Sequence, residues 1–322
     1  MEPQSSTGSL PDAPAPLPDA RGQCEIALGK LQRHFIRPKF PPAVYAAILS
    51  SSRGFLIGRV GNVEAMACIE ILVKHRKPST QLGTNAGVFC NASSCQATWD
   101  HFASSYVEAT LASDMLQVVP SQCDTTATFG LKIALPVAPM AFYWGGEMAS
   151  WLELLQEFAR LRTPLLIATP FATSVWRNLG RLDKIHPMHD LSGLDVVDVL
   201  RVPQTFTWAD PAKMLGGATD WQSTLRQLKR DSTWRRLPSG TVVLLGCGAY
   251  GMPLALHAKR YRNFSSMYVG GSLQLLFGIR GARWDTRKTT NDYINSEWTR
   301  PLPSELPGNQ TSRMIVDQAS YW

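Results

Sequence analysis

The feature that most constrains how this chain folds is an apolar run that ends in a glycine motif, TVVLLGCGAYG, at residues 241–251. Gly246, Gly248 and Gly251 occupy the three glycine positions of G-x-G-x-x-G, with Tyr250 just before the last. A helical pattern, MPLALHAKRYRN, follows. In the order strand, glycines, helix, the motif predicts a backbone cradle for a diphosphate, with the helix N–H groups directed at the anion. A turn that only joins the strand to the helix is the alternative.

Apolar runs and helical patterns alternate along the rest of the chain. The runs FLIGRVG (55–61), TPLLIATPF (163–171), LDVVDVLRVP (194–203) and SSMYVGG (265–271) predict strands, whereas KIALPVAPM (132–140) fits a strand or a loop. Helices are predicted over Ser94–Gln117, 148–162 and 220–237. The alternation predicts an α/β fold with a Rossmann-like, mainly parallel sheet and helices on both faces. Ligands of such sheets bind beyond the carboxyl ends of the strands.

Composition adds limits on domain number, partner and location. Residues 1–22, rich in Pro, Ser and Ala, predict a disordered tail before a single domain at 23–322. The net charge of +7 favours an anionic partner, and the scattered Lys and Arg residues favour a phosphorylated small molecule over nucleic acid. With no signal-peptide core and no apolar run long enough for a membrane span, the cytoplasm is the expected location. The six cysteines lack a CxxC pair and are expected to be reduced, partly buried thiols.

The first predicted strand ends in polar residues that suit a sugar-phosphate site. Arg59, Asn62 and Glu64 follow FLIG at the start of a helical pattern. Asn62 is a suitable N-cap, and the Glu64 charge suits the first turn of a helix. Beside a phosphate cradle the same residues have a second use. Arg59 can neutralise a diphosphate, while the oxygens of Asn62 and Glu64 can bind a hard cation or sugar hydroxyls.

The strand after the glycine motif lacks the acidic residue that NAD-dependent dehydrogenases, the commonest proteins with this motif, have at its end. An NAD-dependent dehydrogenase needs an acidic residue about 20 positions on, at the end of the next strand, to hold the ribose. Here that strand ends in Val269, Gly270 and Gly271. The two glycines predict close approach of a ligand to the backbone at this strand end also. Gln274, a few residues later, could bind a base or sugar hydroxyl, or could cap a helix.

These segments resemble glycosyltransferases of the GT-D fold class. The resemblance covers about residues 51–322 and is carried by GRVGNVEAM, LLIATPFATSVW, LLGCGAYGMPLALHAK, YVGGSLQLLFGIRGARWD, NSEWTRP and ASYW. It implies a nucleotide-sugar donor, such as a UDP- or GDP-sugar, and transfer of the sugar to a saccharide or glycan acceptor. The family's Asp-x-Glu pair, associated with the donor and a divalent metal, corresponds to Asn62 and Glu64. The resemblance therefore gives only a weak expectation of Mn²⁺ or Mg²⁺ dependence, because the amide of Asn62 supplies no charge where the family has a carboxylate.

The sequence thus predicts a catalytic group of Glu64, Asn62 and Arg59, with Glu64 as the base or the carboxylate that positions the donor. Asn62 and Glu64 are the candidate metal ligands. The predicted nucleotide-binding residues are Gly246, Gly248, Tyr250, Gly251, Gly270, Gly271 and Gln274. Two other functions remain open: a nucleotide-dependent oxidoreductase of the NAD type, and a nucleotide-sugar-binding module that has lost its chemistry.

Several polar groups elsewhere suit either a substrate or ordinary packing. Arg280, Arg283 and Asp285 lie in a glycine-rich turn that fits phosphate or plain surface. The segment NSEWTRP (295–301) combines an aromatic ring with polar groups, as carbohydrate sites and packed terminal segments both do. His186 and His189 flank a proline, which argues against a zinc pair on one helical face.

Overall fold

The structure is a computed structural model, and it describes residues 42–51, 53–91, 93–118, 125, 129, 141–144, 148–205, 217–285 and 292–306. The predicted tail at 1–22, the run KIALPVAPM and the closing ASYW lie outside these described residues. No helix within the described ranges is long and apolar enough to cross a bilayer.

The predicted parallel sheet is confirmed. Within the described residues, seven strands pair in the order β3-β2-β1-β7-β6-β4-β5, and every neighbouring pair is parallel. The strands are β1 (Leu56–Arg59), β2 (Met115–Val118), β3 (Ala141–Trp144), β4 (Pro164–Thr169), β5 (Asp195–Arg201), β6 (Val242–Leu245) and β7 (Ser265–Tyr268). The fold is therefore α/β and Rossmann-like.

Helices connect these strands. The longer ones are α1 (Pro42–Leu49), α2 (Asn62–Cys68, continued by a π-helical turn, Ile69–Val73), α4 (Cys95–Leu111), α5 (Met148–Leu161), α6 (Ala172–Leu179), α8 (Trp221–Arg230) and α10 (Gly251–Arg262). Four-residue helices are α3 (Gln81–Thr84), α7 (Leu182–Ile185), α9 (Thr233–Arg236), α11 (Leu273–Leu276) and α12 (Ala282–Asp285). Short 3₁₀ turns cover Gly248–Tyr250, Gly270–Ser272 and Pro303–Glu305.

Both faces of the sheet are buried, which explains the continuous apolar strands. Within β6, Val243 packs into the core on the face covered by α2, α4, α8 and α10, whereas Val242 and Leu244 pack into the core on the face covered by α1, α5 and α6. Successive side chains of a strand point to opposite faces, so a strand covered on both sides needs apolar residues throughout. This burial supplies the main driving force for the fold.

The connections create a crevice between β4 and β6. From β4 the chain continues to β5 at the sheet edge, by way of α6 on one face. From β6 it continues to β7 in the opposite direction, by way of α10 on the other face. The strand order therefore reverses between these two neighbours. Ligands of open α/β sheets bind at such a reversal, beyond the carboxyl ends of the strands.

The helix predicted over Ser94–Gln117 is wrong at its C-terminal end. Helix α4 ends at Leu111, and the last residues of the predicted helix belong to β2. Asp114 marks the change, because its N–H donates to the Leu56 carbonyl (2.9 Å) and its carboxylate accepts from the Leu56 N–H (2.7 Å). Pairing with β1 overrides the local helical preference.

The helix predicted over 220–237 is divided at Asp231 into α8 and α9. Asp220 caps α8 as expected, since its carboxylate accepts from the Ser223 N–H at 2.6 Å.

The expectation of reduced cysteines is wrong for Cys90 and Cys95, which form a disulfide with Cα atoms 4.9 Å apart. The intervening turn, stabilised by hydrogen bonds to the Asn91 side chain, brings the pair together without CxxC spacing. The buried Cys68 and Cys247 are free thiols, as expected.

Candidate functional site

A pocket of about 250 Å³ lies at the carboxyl edge of the sheet, where the segments after β1, β4, β5, β6 and β7 meet. Every nucleotide-binding and catalytic residue predicted from the sequence lines it, except Gly251. Residues 85–87, which follow α3, close one side. The fold thus brings together strand ends that are far apart in the sequence.

The glycine motif lets three backbone segments approach one another. A Cβ on Gly246 would lie 2.6 Å from the carbonyl oxygen of Gly270, and one on Gly248 would lie 2.8 Å from the carbonyl oxygen of Ala86. Gly248 also has a φ of +55°, a left-handed conformation that favours glycine. In the 3₁₀ turn at 248–250, the Ala249 N–H donates to the Ala86 carbonyl at 2.9 Å, which ties residues 85–87 to the glycine motif. Glycine is therefore required for the shape of this pocket wall.

The third glycine has a packing role. Gly251 begins α10, and a Cβ there would collide with the ring of Tyr268. The Tyr268 hydroxyl donates to the Gly248 carbonyl at 3.1 Å, which ties β7 to the glycine turn. Gly251 thus allows α10 to pack against Tyr268, and it does not line the pocket.

Arg59 lies directly against the turn that follows β7. Its Nη1 donates to the Val269 carbonyl at 3.0 Å, and a Cβ on Gly270 would collide with the same nitrogen. Gly270 has a φ of +72°, so both its conformation and its missing side chain are needed here. The Arg59 Nε is buried without a hydrogen-bond partner. A fixed cation with an unused donor therefore borders the glycine turns.

One polar neighbour of Arg59 was not identified from the sequence. Gln117 on β2 is in register with Arg59, is buried, and has an Oε1 without a hydrogen-bond partner. Its assignment to a predicted helix hid its position at a strand end. No local sequence pattern marks it, because the MLQV segment follows a helix and becomes a strand through its pairing with β1.

Glu64 is a buried carboxylate in the pocket wall, with 7% of its surface exposed. It folds back over the start of α2, so a Cβ on Gly61 would collide with it. Burial raises the pKa of Glu64, while a hydrogen bond from its own backbone N–H and the nearby Arg59 charge act in the opposite direction. Burial also raises the pKa of Tyr106 and Tyr268, and the Glu64 charge adds to both shifts. Glu64 is thus a desolvated acid-base group beside the cationic Arg59.

The expectation that Asn62 is an N-cap is wrong. Gly61 is the N-cap of α2, and Asn62 is the first helical residue, exposed, with its Oδ1 accepting from the Thr125 hydroxyl. The turn is held instead by Tyr106, whose hydroxyl accepts from the Gly61 N–H (2.8 Å) and donates to the Arg59 carbonyl (3.3 Å). A side-chain cap is unnecessary where a buried phenol fixes the turn.

The predicted metal ligands do not form a complete donor set. Glu64 is the one carboxylate among the described residues that line the pocket, and the Asn62 oxygen is already bonded to Thr125. Across the described ranges, no three His, Cys, Asp or Glu side chains cluster as metal ligands do. Mg²⁺ and Mn²⁺ prefer several oxygen ligands. The residues present therefore fit a cation poorly, and Arg59 is the one cationic side chain among the described residues that line the pocket.

Tyr250 and Gln274 line the pocket but are largely committed to other contacts. The Tyr250 hydroxyl bonds to Thr205 Oγ1 at 2.6 Å, and its ring stacks on Trp221 with centroids 5.6 Å apart. Gln274 is buried, and its Nε2 donates to the Ile279 carbonyl at 3.1 Å. Both side chains therefore fix the pocket wall, whatever else they bind.

The other polar groups weighed from the sequence lie outside the pocket lining. The NSEWTRP segment packs on α7: Asn295 and Trp298 donate to the Ile185 carbonyl, and Glu297 pairs with Arg181. Asp285 pairs with Arg300; the Arg283 side chain is outside the described residues. Burial lowers the pKa of His186 to about 4, and its Nε2 contacts the Leu276 carbonyl at 3.0 Å, as in a packed core histidine.

The wall after β4 and β5 was only partly anticipated. The sequence predicted strands over TPLLIATPF and LDVVDVLRVP, but no binding residue was named at their ends. Pocket residues from these two ends are Thr169, Pro170, Phe171, Val202, Pro203, Gln204 and Thr205. A Pro-Gln pair has no sequence signature for binding, so only the topology reveals it.

Glu305 supports this wall from behind. Its carboxylate accepts from the backbone N–H groups of Thr173 (2.7 Å) and Ser174 (3.1 Å) at the start of α6, and from the Ser174 hydroxyl and the Leu302 N–H. An anion at the N-terminus of a helix is favoured by the unpaired N–H groups and the helix dipole. The anion position after β4 is therefore filled by the chain itself.

No protein-family model, curated protein or solved structure matches the chain. The resemblance to GT-D glycosyltransferases therefore rests on the motifs quoted above.

Proposed function

We propose that this protein is a glycosyltransferase that binds a nucleotide-diphosphate sugar in the pocket and transfers the sugar to a hydroxyl of a saccharide or glycan acceptor. The observation that carries the proposal is the placement of Arg59 against the glycine turns with Glu64 buried in the same pocket. Cradle, cation and carboxylate are the three parts that such a transfer requires.

The diphosphate lies on the turns after β6 and β7 in this proposal. The N–H groups of Gly248 and Gly270, the first residues of the two 3₁₀ turns, bind its oxygens. The charge that develops on the departing nucleoside diphosphate is neutralised by the guanidinium of Arg59, a residue that lines the pocket.

Glu64 acts on the acceptor or on the donor sugar. As a base it takes the proton of the acceptor hydroxyl while the new bond to the anomeric carbon forms and the bond to the diphosphate oxygen breaks. Its raised pKa, caused by burial, brings its basicity closer to neutral pH than that of an exposed carboxylate. The chemistry assigns the step to Glu64 because it is the carboxylate that lines the described pocket.

A panel of UDP- and GDP-sugars tests the proposal, first by thermal shift and then by release of nucleoside diphosphate with simple saccharide acceptors. We expect at least one donor to raise the melting temperature and to be turned over. Gly246→Ala, whose Cβ meets the Gly270 carbonyl, should weaken that binding; Gly180→Ala, which has open space around it, should not. Donor binding without sugar transfer to any of the acceptors would indicate a binding module. If no donor binds at all, the proposal is refuted.

A further inference from the structure

The pocket has two unlike halves. Of the described residues that line it, Arg59 and Glu64 carry the charges; Arg59 is the last residue of β1, and Glu64 lies just beyond it. The opposite half, after β4 and β5, has uncharged residues such as Pro170, Phe171 and Gln204. The glycine turns after β6 and β7 lie between the halves, because the strand order is β1-β7-β6-β4-β5.

This arrangement orients a ligand whose diphosphate lies on the glycine turns. One end of the ligand extends to the charged half and the other to the uncharged half. A sugar with many hydroxyls suits Arg59 and Glu64, whereas a flat, uncharged base suits a wall of proline, aromatic and amide groups. The base therefore belongs at the ends of β4 and β5.

Gln204 is the side chain that can distinguish bases there. Its Nε2 donates to the Glu305 backbone carbonyl at 2.8 Å, which fixes the orientation of the amide. Glu305 is itself buried and held by the start of α6, so the anchor is rigid. The Gln204 Oε1 remains as an acceptor in the pocket wall, and no donor to it is recorded within the described ranges.

We propose, on the basis of the proposed function, that Gln204 selects a base with an N–H donor at the centre of its pairing edge. Uracil has N3–H and guanine has N1–H at that position, whereas cytosine and adenine have unprotonated acceptor nitrogens. A fixed acceptor opposite another acceptor leaves both unpaired, and the cost of these unpaired groups disfavours cytosine and adenine. The base of the donor thus lies against the β4–β5 wall, with its central N–H directed at the Gln204 Oε1.

Calorimetry with UDP, CDP, GDP, ADP and pyrophosphate tests this assignment. The wild type should bind UDP more tightly than CDP, or GDP more tightly than ADP, by about tenfold or more. Gln204→Met, which keeps the length but removes the acceptor, should lose that preference and keep the affinity for pyrophosphate. The exposed Gln81 provides a matched control, since Gln81→Met should change neither quantity.

The outcomes separate this inference from the proposed function. Nucleoside diphosphates that bind without a preference in the wild type would overturn the role of Gln204 and leave the glycosyltransferase proposal standing. A preference that persists in a folded Gln204→Met variant, or an equal loss for pyrophosphate, would also overturn it. Failure of every nucleoside diphosphate to bind would remove the proposed function itself. If Gln204→Met does not fold, the affinities of the wild type for UDP against CDP and for GDP against ADP still test the predicted base preference.

Discussion

Two glutamates lie buried at the same edge of the sheet, and they differ in how their carboxylates are paired. Glu305 is 4% exposed and accepts hydrogen bonds from three backbone N–H groups and one hydroxyl. Glu64 is 7% exposed, and within the described part of the chain its carboxylate has a recorded hydrogen bond only from its own N–H. Burial is therefore similar, whereas hydrogen bonding is not.

This difference separates a structural carboxylate from a candidate functional one. A buried charge with several donors stabilises the fold, because the donors replace the water it has lost. A buried charge with few donors destabilises the fold, and such groups concentrate at sites that need a shifted pKa. Glu305 therefore holds α6 and the β4–β5 wall, and Glu64 is available to a ligand.

The largest expected effect is on turnover after loss of the Glu64 carboxylate. Glu64→Gln should lower turnover by about 100-fold or more, because a positioned acid-base group commonly contributes that much. The shape of the side chain is retained, so the circular dichroism spectrum should not change. Steady-state kinetics on any donor that the protein accepts measure the effect.

The exposed Glu153 on α5 provides the control for this variant. Glu153→Gln removes the same charge from a residue that does not line the pocket and should leave turnover unchanged. If Glu64→Gln retained turnover within about threefold of the wild type, Glu64 would not be acting as a positioned acid or base. Its role would then be limited to the start of α2.

The reverse pattern is expected for Glu305. Glu305→Gln replaces one acceptor oxygen by an NH₂ group that faces donors, so the free energy of unfolding should fall by about 2 kcal/mol. Turnover below the melting transition should stay near the wild-type value, since the variant keeps the backbone carbonyl that holds Gln204. Denaturant unfolding measures the first quantity. A variant as stable as the wild type would contradict the structural role.

The smallest effect is the pH dependence of stability. Burial raises the pKa of Glu64, so the native state binds this proton more tightly than the unfolded chain does. The resulting stabilisation is present in acid and is lost as the pH rises through the raised native pKa. Glu64→Gln does not titrate, so its melting temperature should increase relative to the wild type as the pH rises from acid to neutral. A constant difference across that range would show that burial does not raise this pKa.

The sequence predicted the sheet because the strands at its centre carry a strong signal. Val242–Leu245 and Leu165–Ile167 are apolar at every position, as strands covered on both faces must be. The parallel order placed their ends together, which is why the glycine turns, Arg59 and Glu64 could be predicted as neighbours from local motifs.

The features that were missed depend on contacts that are distant in the sequence. β2 was hidden because its MLQV segment follows a helix and is a strand only through pairing with β1. Glu305 holds the start of α6 over a separation of 131 residues from Ser174, which no local pattern encodes. Gln204 is oriented by the same distant turn, through its hydrogen bond to the Glu305 carbonyl.

Binding of a nucleoside diphosphate at Arg59 tests the central claim most directly. Isothermal titration of UDP and GDP should give saturable binding to the wild type, and Arg59→Gln should weaken it by about tenfold or more, because a charge-assisted contact to phosphate is lost. Arg53→Gln removes an exposed arginine just before the other end of β1 and should have no effect. If neither nucleotide binds the wild type, or if the two variants bind equally well, the pocket is not the diphosphate site described above.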